Sequence, residues 1–269
     1  MRIVDCHVHI RGEVDAAELL NQLDENGVDR VVVLSQAERV SLERTRERLL
    51  ETAPLLDVAR DRISGLAWVN PAIDGMAELA AEALDGMGYV GIKIIPDHWY
   101  AHEPRLEPFW ERMDQLRASI LFHTGILYGW EDASRFCRPV YLEALARYPN
   151  IRFAMAHVAW PWCEECLAVM GRMRAETHGE GRQWQSYIDL TPGTPPHIRK
   201  QAVANAISFC GPERIIFGTD CSLPNRMDAQ KDMVRRDLAL FDQLGLDDRQ
   251  KQRIMAGTAD EVFPARHEM

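Results

Sequence analysis

The chain has 269 residues, 46% hydrophobic and 27% charged, a balance that suits one large globular domain over residues 1–269. Its formal charge of −10 argues against nucleic acid or an anionic membrane as the main partner. No apolar run approaches the roughly 20 residues needed to cross a bilayer.

In chain order, short runs rich in Val and Ile alternate with amphipathic segments. The first predicted strand is 2–9 (RIVDCHVH). Arg2 and Asp5 interrupt its apolar run, so it does not read as a signal peptide, and a cytoplasmic location is expected. Residues 15–25 carry Leu19, Leu20 and Leu23 at helical spacing, before a strand at 29–35. The helix at 41–60 contains Pro54, which predicts a break or kink. A strand at 63–69, a helix at 74–86 and a strand at 89–95 follow, the last carrying Lys93 in "GIKIIPDHWY". After a helix at 106–117, the strand 119–123 ends in His123. After a helix at 138–148, the strand 151–157 ends in His157. The helix 162–176 holds "CEEC", which reads as two neighbours on one helix face, and all six cysteines read as buried free thiols. A surface loop at 177–185 leads to a strand at 186–190 and a helix at 196–209. The last strand, 214–219, is followed by Asp220, a helix at 228–244 and a final helix near 248–256.

Eight strands alternating with helices imply βαβ units and a parallel sheet, so the fold class is α/β, a single-domain (β/α)8 TIM barrel. The rival, an open doubly wound sheet, wants a Gly-rich phosphate turn after an early strand, and none is present.

In such a barrel His7, His9, Lys93, His123, His157 and Asp220 all lie at or near carboxyl ends of strands, on the face where barrel active sites sit. Each has an ordinary structural explanation taken singly; together they form a pattern. Side chains two apart on a strand point the same way, so His7 and His9 can reach one metal ion together. By the same alternation Asp5 is expected to point inward, deeper in the barrel, as a support, with Cys6 and Val8 facing the helices. Imidazole and carboxylate suit Zn2+, and also Mn2+, Fe2+ or Co2+.

The ordered set "DCHVH", "GIK", "FHTG", "AHV" and "FGTD", closed by "QRIMAGTADEVF", resembles the amidohydrolase superfamily across nearly the whole chain. The compact length resembles its amidohydrolase-2 branch, which includes both hydrolases and decarboxylases. Thr258 stands where that family's closing motif has Asn. The resemblance implies that His7, His9, His123 and Asp220 bind one divalent metal, Zn2+ above all, with His157 just outside. It implies catalytic roles for Asp220, as proton shuttle, and His157, polarising the substrate. Two-metal relatives bridge their ions with a carboxylated Lys on strand four, so Lys93 with His157 marks a possible second-ion site; one ion is the expectation.

The loops after these strands are aromatic. Trp99, Trp130 and Trp160 are candidate walls for a planar or cyclic substrate, and Arg226 is a candidate carboxylate clamp, with Arg135 and Arg138 as others. The expected function is metal-dependent hydrolysis of a lactone, ester or amide in a small cyclic or carboxylated molecule. The alternatives are non-oxidative decarboxylation of an aromatic or unsaturated acid, and a non-catalytic metal-binding barrel. A homodimer or higher homo-oligomer is expected.

Overall fold

A computed structural model describes residues 1–177 and 185–266. Most of the loop expected at 177–185 therefore lies outside the described residues. The strands are β1 (Val4–Ile10), β2 (Arg30–Leu34), β3 (Ile63–Trp68), β4 (Gly91–Ile94), β5 (Ser119–Phe122), β6 (Arg152–Met155), β7 (Ser186–Asp189), β8 (Ile215–Ile216) and β9 (Cys221–Leu223). All pair in parallel, in the order β8-β7-β6-β5-β4-β3-β2-β1-β9. The fold is a (β/α)8 barrel of the TIM type.

The expected eighth strand is split in two. Ile215–Ile216 pairs with β7 and Cys221–Leu223 with β1. The chain between them leaves the ladder because Asp220 adopts a left-handed backbone, φ 58°. Two backbone hydrogen bonds cross this seam, from Cys6 N–H to the Phe217 carbonyl (3.1 Å) and from Asp220 N–H to the His7 carbonyl (2.9 Å).

The helices are α1 (Ala16–Asn26), α2 (Leu42–Val58), α3 (Met76–Gly86), α4 (Glu107–Gln115), α5 (Cys163–Thr177), α6 (Pro196–Cys210), α7 (Asp228–Gln243), α8 (Asp248–Gln252) and α9 (Thr258–Val262). Asp15 caps α1 by accepting from the N–H groups of Ala17 and Glu18, and Gly27 ends it at φ 70°. Pro54 does not break α2: buried Leu49, Leu55 and Leu56 hold the helix on both sides of it. The segment expected as a helix at 138–148 is a 3-10 helix, Pro139–Arg147. A π turn, Arg253–Gly257, joins α8 to α9. Thr258 Oγ1, in the position noted above, donates to the carbonyls of Pro212 and Arg253. No described helix is long and apolar enough to cross a membrane.

Alternate strand residues form two apolar layers. Val8, Val31, Val33, Ile92, Ile94, Ile120 and Phe122 pack against the helices. Val4, Cys6, Val32, Leu34, Leu66 and Leu121 fill the barrel together with Ala256, Ala259, Val262 and Phe263 from the chain's end. That closing segment covers the amino ends of the strands, where Asp260 pairs with Arg2 and Arg30. The carboxyl ends are left open.

β1 departs from simple alternation. Val4 pairs with Arg30 and Asp5 with Val31, but Val8 pairs with Val33. Two residues, Cys6 and His7, therefore oppose Val32 alone: a β-bulge. The bulge overturns two expectations. Cys6 turns into the barrel, and Asp5 turns outward, accepting from Gln230 Nε2 on α7 (2.8 Å) and from the Thr219 hydroxyl (2.5 Å). Val8 faces the helices, as expected, and His7 and His9 remain on one side.

Candidate metal centre

β1 brings His7 and His9 to the carboxyl end of the barrel with their Nε2 atoms 3.2 Å apart. Asp220, turned inward by its left-handed backbone, places Oδ1 3.0 Å from His9 Nε2 and 3.6 Å from His7 Nε2. Among the described residues these three form the one cluster with metal-ligand spacing, all donor atoms lying within 4.8 Å of one another. "CEEC" belongs to no such cluster; Cys166 is buried, Cys163 half-buried, and all six thiols are free.

His123, at the exit of β5, lies outside that group but lines the same pocket. Its Nδ1 lies 3.2 Å from His157 Nε2. His157 Nδ1 is 2.7 Å from the Pro192 carbonyl, which can only accept, so the His157 proton sits on Nδ1. His157 Nε2 then accepts from His123 Nδ1–H. That leaves His123 Nε2 as a bare lone pair, buried and without a partner among the described residues. His7 is set the same way: its Nδ1–H donates to Asp189 Oδ2 at 2.7 Å, so its Nε2 is bare. A divalent cation fits this donor set: Nε2 of His7 and of His123 each carry a lone pair and no proton, and a cation would replace the proton that His9 Nε2 shares with Asp220 Oδ1.

Electrostatics agree. Burial, and then the charge of Lys93, push His7 well below the usual imidazole range; burial also lowers His9, His123 and His157. Burial alone would raise Asp220, but the hydrogen bond to His9 and the charges of His7 and His157 outweigh it and hold the carboxyl far below its ordinary value. Lys93, fully buried on β4, has its Nζ 3.4 Å from His7 Nε2, and burial depresses its amine to about 8. Burial raises Asp189 to about 6.

A cavity of about 200 Å³ opens above these residues. Trp130 and Trp160 line it, with Trp68, Tyr128, Leu127 and Arg11. Trp68 stacks on Trp130, ring centroids 6.1 Å apart and planes 6° from parallel, and packs against His9. The Arg39 guanidinium lies 4.2 Å over the Trp130 ring. Trp99 is not in this wall. It is 1% exposed and packs in the core beside Trp110 of α4, where its apolar ring buries more surface than at a pocket rim. Arg226 is exposed and outside the lining, on the turn after β9. Arg135 pairs with Asp132 and Arg138 with Glu165, so neither guanidinium faces the pocket.

Sequence reasoning missed Asp189, Trp68 and Arg11. Each left a signal: a lone acid in the apolar strand "SYIDL", a Trp near a strand's carboxyl end, and a cation two positions past His9, in step with the two histidines. It also missed two close approaches. A Cβ on Gly218 would meet Thr191 Cγ2 at 2.7 Å and His7 Cβ at 2.9 Å, and one on Gly193 would meet His157 Cβ at 2.8 Å.

The sequence matches a family model described as amidohydrolase over residues 4–265. No curated protein matches significantly. The fold is similar to the 5-carboxyvanillate decarboxylase of Sphingomonas paucimobilis (13% identity, TM-score 0.72, covering 98% of this chain and 99% of that one). It is similar to a probable 2-pyrone-4,6-dicarboxylic acid hydrolase of Acinetobacter baumannii with citric acid bound (16%, TM-score 0.66, 98% and 99%). It is also similar to an amidohydrolase of Burkholderia multivorans with bound zinc (16%, TM-score 0.61, 99% and 100%).

Proposed function

This chain belongs to the amidohydrolase family, and from that premise we propose that it is a metal-dependent hydrolase acting on a lactone, ester or amide of a small cyclic or carboxylated molecule. One observation carries the reading: His7 Nε2, His9 Nε2 and Asp220 Oδ1 converge beneath an aromatic pocket open to solvent.

His7, His9, Asp220 and, through its bare Nε2, His123 would hold one divalent metal, with Zn2+ the best match to imidazole and carboxylate. When bound, the metal supplies a Lewis acid that polarises a carbonyl and makes water acidic enough to ionise near neutral pH. Asp220, ionised and reaching the pocket, takes a proton from water at its carboxylate and returns it to the leaving group. The proton of His157 sits on Nδ1, so its part is to hold His123 and line the pocket rather than to donate to an oxyanion. The proton shared between His123 and His157 leaves His157 no lone pair for a second ion, which favours one metal and an uncarboxylated Lys93. Trp68, Trp130 and Trp160 offer flat surfaces to a ring, and Arg11 offers the one Lys or Arg side chain in the wall among the described residues.

His7, His9 and His123 would be taken up by the metal and His157 by His123, so the carboxylate of Asp220 is the group left to move a proton. A carboxylate suits removal of a proton from water better than delivery of one to carbon, and this favours hydrolysis over decarboxylation. The test is metal analysis of the purified protein, followed by turnover on a panel of lactones and hydroxybenzoates. Incorporation of labelled water into product supports the proposal. Release of carbon dioxide without water uptake replaces it with decarboxylation, and absence of bound metal in an active preparation overturns the metal-dependent mechanism.

A further inference from the structure

The segment that leaves β7, Asp189 to Gly193, touches both histidines on which the candidate centre depends. Asp189 Oδ2 accepts from His7 Nδ1–H at 2.7 Å, and the Pro192 carbonyl accepts from His157 Nδ1–H at 2.7 Å. The segment is braced internally. Thr191 N–H donates to Asp189 Oδ1 at 2.8 Å, the Thr191 hydroxyl donates to Asp189 Oδ2 at 3.1 Å, and the same hydroxyl accepts from the His157 backbone N–H at 3.2 Å. It is anchored from outside as well. Arg199 of α6 donates to the Leu190 carbonyl at 2.8 Å while pairing with buried Asp237 of α7. Gly193 and Gly218 permit the contact, since a side chain at either would press on His157 or His7.

We propose that this segment is the positioning element of the centre: Asp189 and the Pro192 carbonyl, the latter joined by the Thr191 hydroxyl 2.9 Å from the same His157 Nδ1, fix the tautomers of His7 and His123 so that both present a bare Nε2. Asp189 acts on His7 directly. The Pro192 carbonyl acts on His123 at one remove, through His157. A neutral imidazole protonated on the wrong nitrogen offers an N–H where a ligand lone pair is needed. The inference rests on the metal-centre reading for its purpose but not for its tautomers.

The experiment is nitrogen NMR of 15N-histidine-labelled protein stripped of metal, together with Zn2+ affinity measured by chelator competition. The wild-type spectrum should show His7, His123 and His157 protonated on Nδ1. Asp189→Leu keeps the volume and removes the acceptor. It should shift His7 toward the other tautomer, leave His123 unchanged, and weaken Zn2+ binding roughly 10–100-fold. Asp189→Asn keeps an acceptor and should retain most of the His7 tautomer and the affinity. General damage to the fold would move both histidines alike, which would overturn the proposal. So would a wild-type spectrum with His7 or His123 protonated on Nε2, a result that stands even where Asp189→Leu does not fold. Equal Zn2+ affinity in Asp189→Leu and wild type would also overturn it. A wild type that takes up no Zn2+ strikes the metal-centre reading instead, and the tautomer spectrum still decides the inference.

Discussion

Lys93 Nζ lies 3.4 Å from His7 Nε2 with both side chains fully buried, so an amine and a metal-facing imidazole share one small space. An ammonium there would compete with a divalent ion for the His7 lone pair. The expected metal content is one equivalent in the wild type and one in Lys93→Met. Two equivalents falling to one in the variant would show that Lys93 is carboxylated and bridges a pair of ions.

The same lysine sets a pH dependence in the metal-free protein. Burial lowers its pKa from 10.5 to about 8, so the unfolded chain binds the proton more tightly than the folded one. Stability from this group therefore rises with pH between about 8 and 10.5, and its penalty is fully present below 8. The span is worth on the order of 3 kcal/mol. Denaturant melts at several pH values should show this slope in the wild type and a flatter one in Lys93→Met.

Gly218 sits where any side chain would press on Thr191, His7 and Asp189 together. Gly218→Ala should cost about 1–3 kcal/mol, the usual penalty for overpacking. Thermal melting measures the loss, and Zn2+ titration should show weakened binding because His7 is displaced. Unchanged affinity would mean that the neighbours yield without moving the imidazole.

Direct loss of a ligand should exceed those effects. His7→Ala and Asp220→Asn are expected to weaken Zn2+ binding by at least about 100-fold, beyond what removal of a ligand's hydrogen-bond partner does. Chelator competition gives the affinity. Retention of wild-type affinity in either variant would remove that residue from the ligand set.

Two tryptophans separate the wall from the core. Trp130, stacked on Trp68 at the pocket, should affect turnover when changed to Ala by raising KM with little change in folding stability. Trp99→Ala should do the reverse, costing about 3–5 kcal/mol of stability. Denaturant curves on both variants, with steady-state kinetics on any substrate found, distinguish the two.

Much of this protein is legible in one dimension. Strand–helix alternation from Val4 to Asp220 dictates a parallel barrel, and the strand ends at His7, His9, His123, His157 and Asp220 mark one face because parallel strands share a direction. Period-two alternation predicts that His7 and His9 point together, and they do. Local pattern fails wherever a backbone irregularity intervenes. The bulge in β1 reverses Asp5 and Cys6, and the left-handed residue at Asp220 cuts the last strand in two.

The rest was decided by tertiary structure, because hydrogen-bond partners distant in sequence set what each side chain can do. Asp189 lies 182 positions from His7, and Pro192 lies 35 from His157. No spacing rule joins them, yet they decide which ring nitrogen holds the proton. The sequence alone determined that His7, His9, His123, His157 and Asp220 gather at the open end of the barrel. Only the fold decided their protonation, which of the tryptophans line the pocket, and that Arg11 rather than Arg226 faces it, since these depend on packing between strands and loops that meet only once the barrel closes.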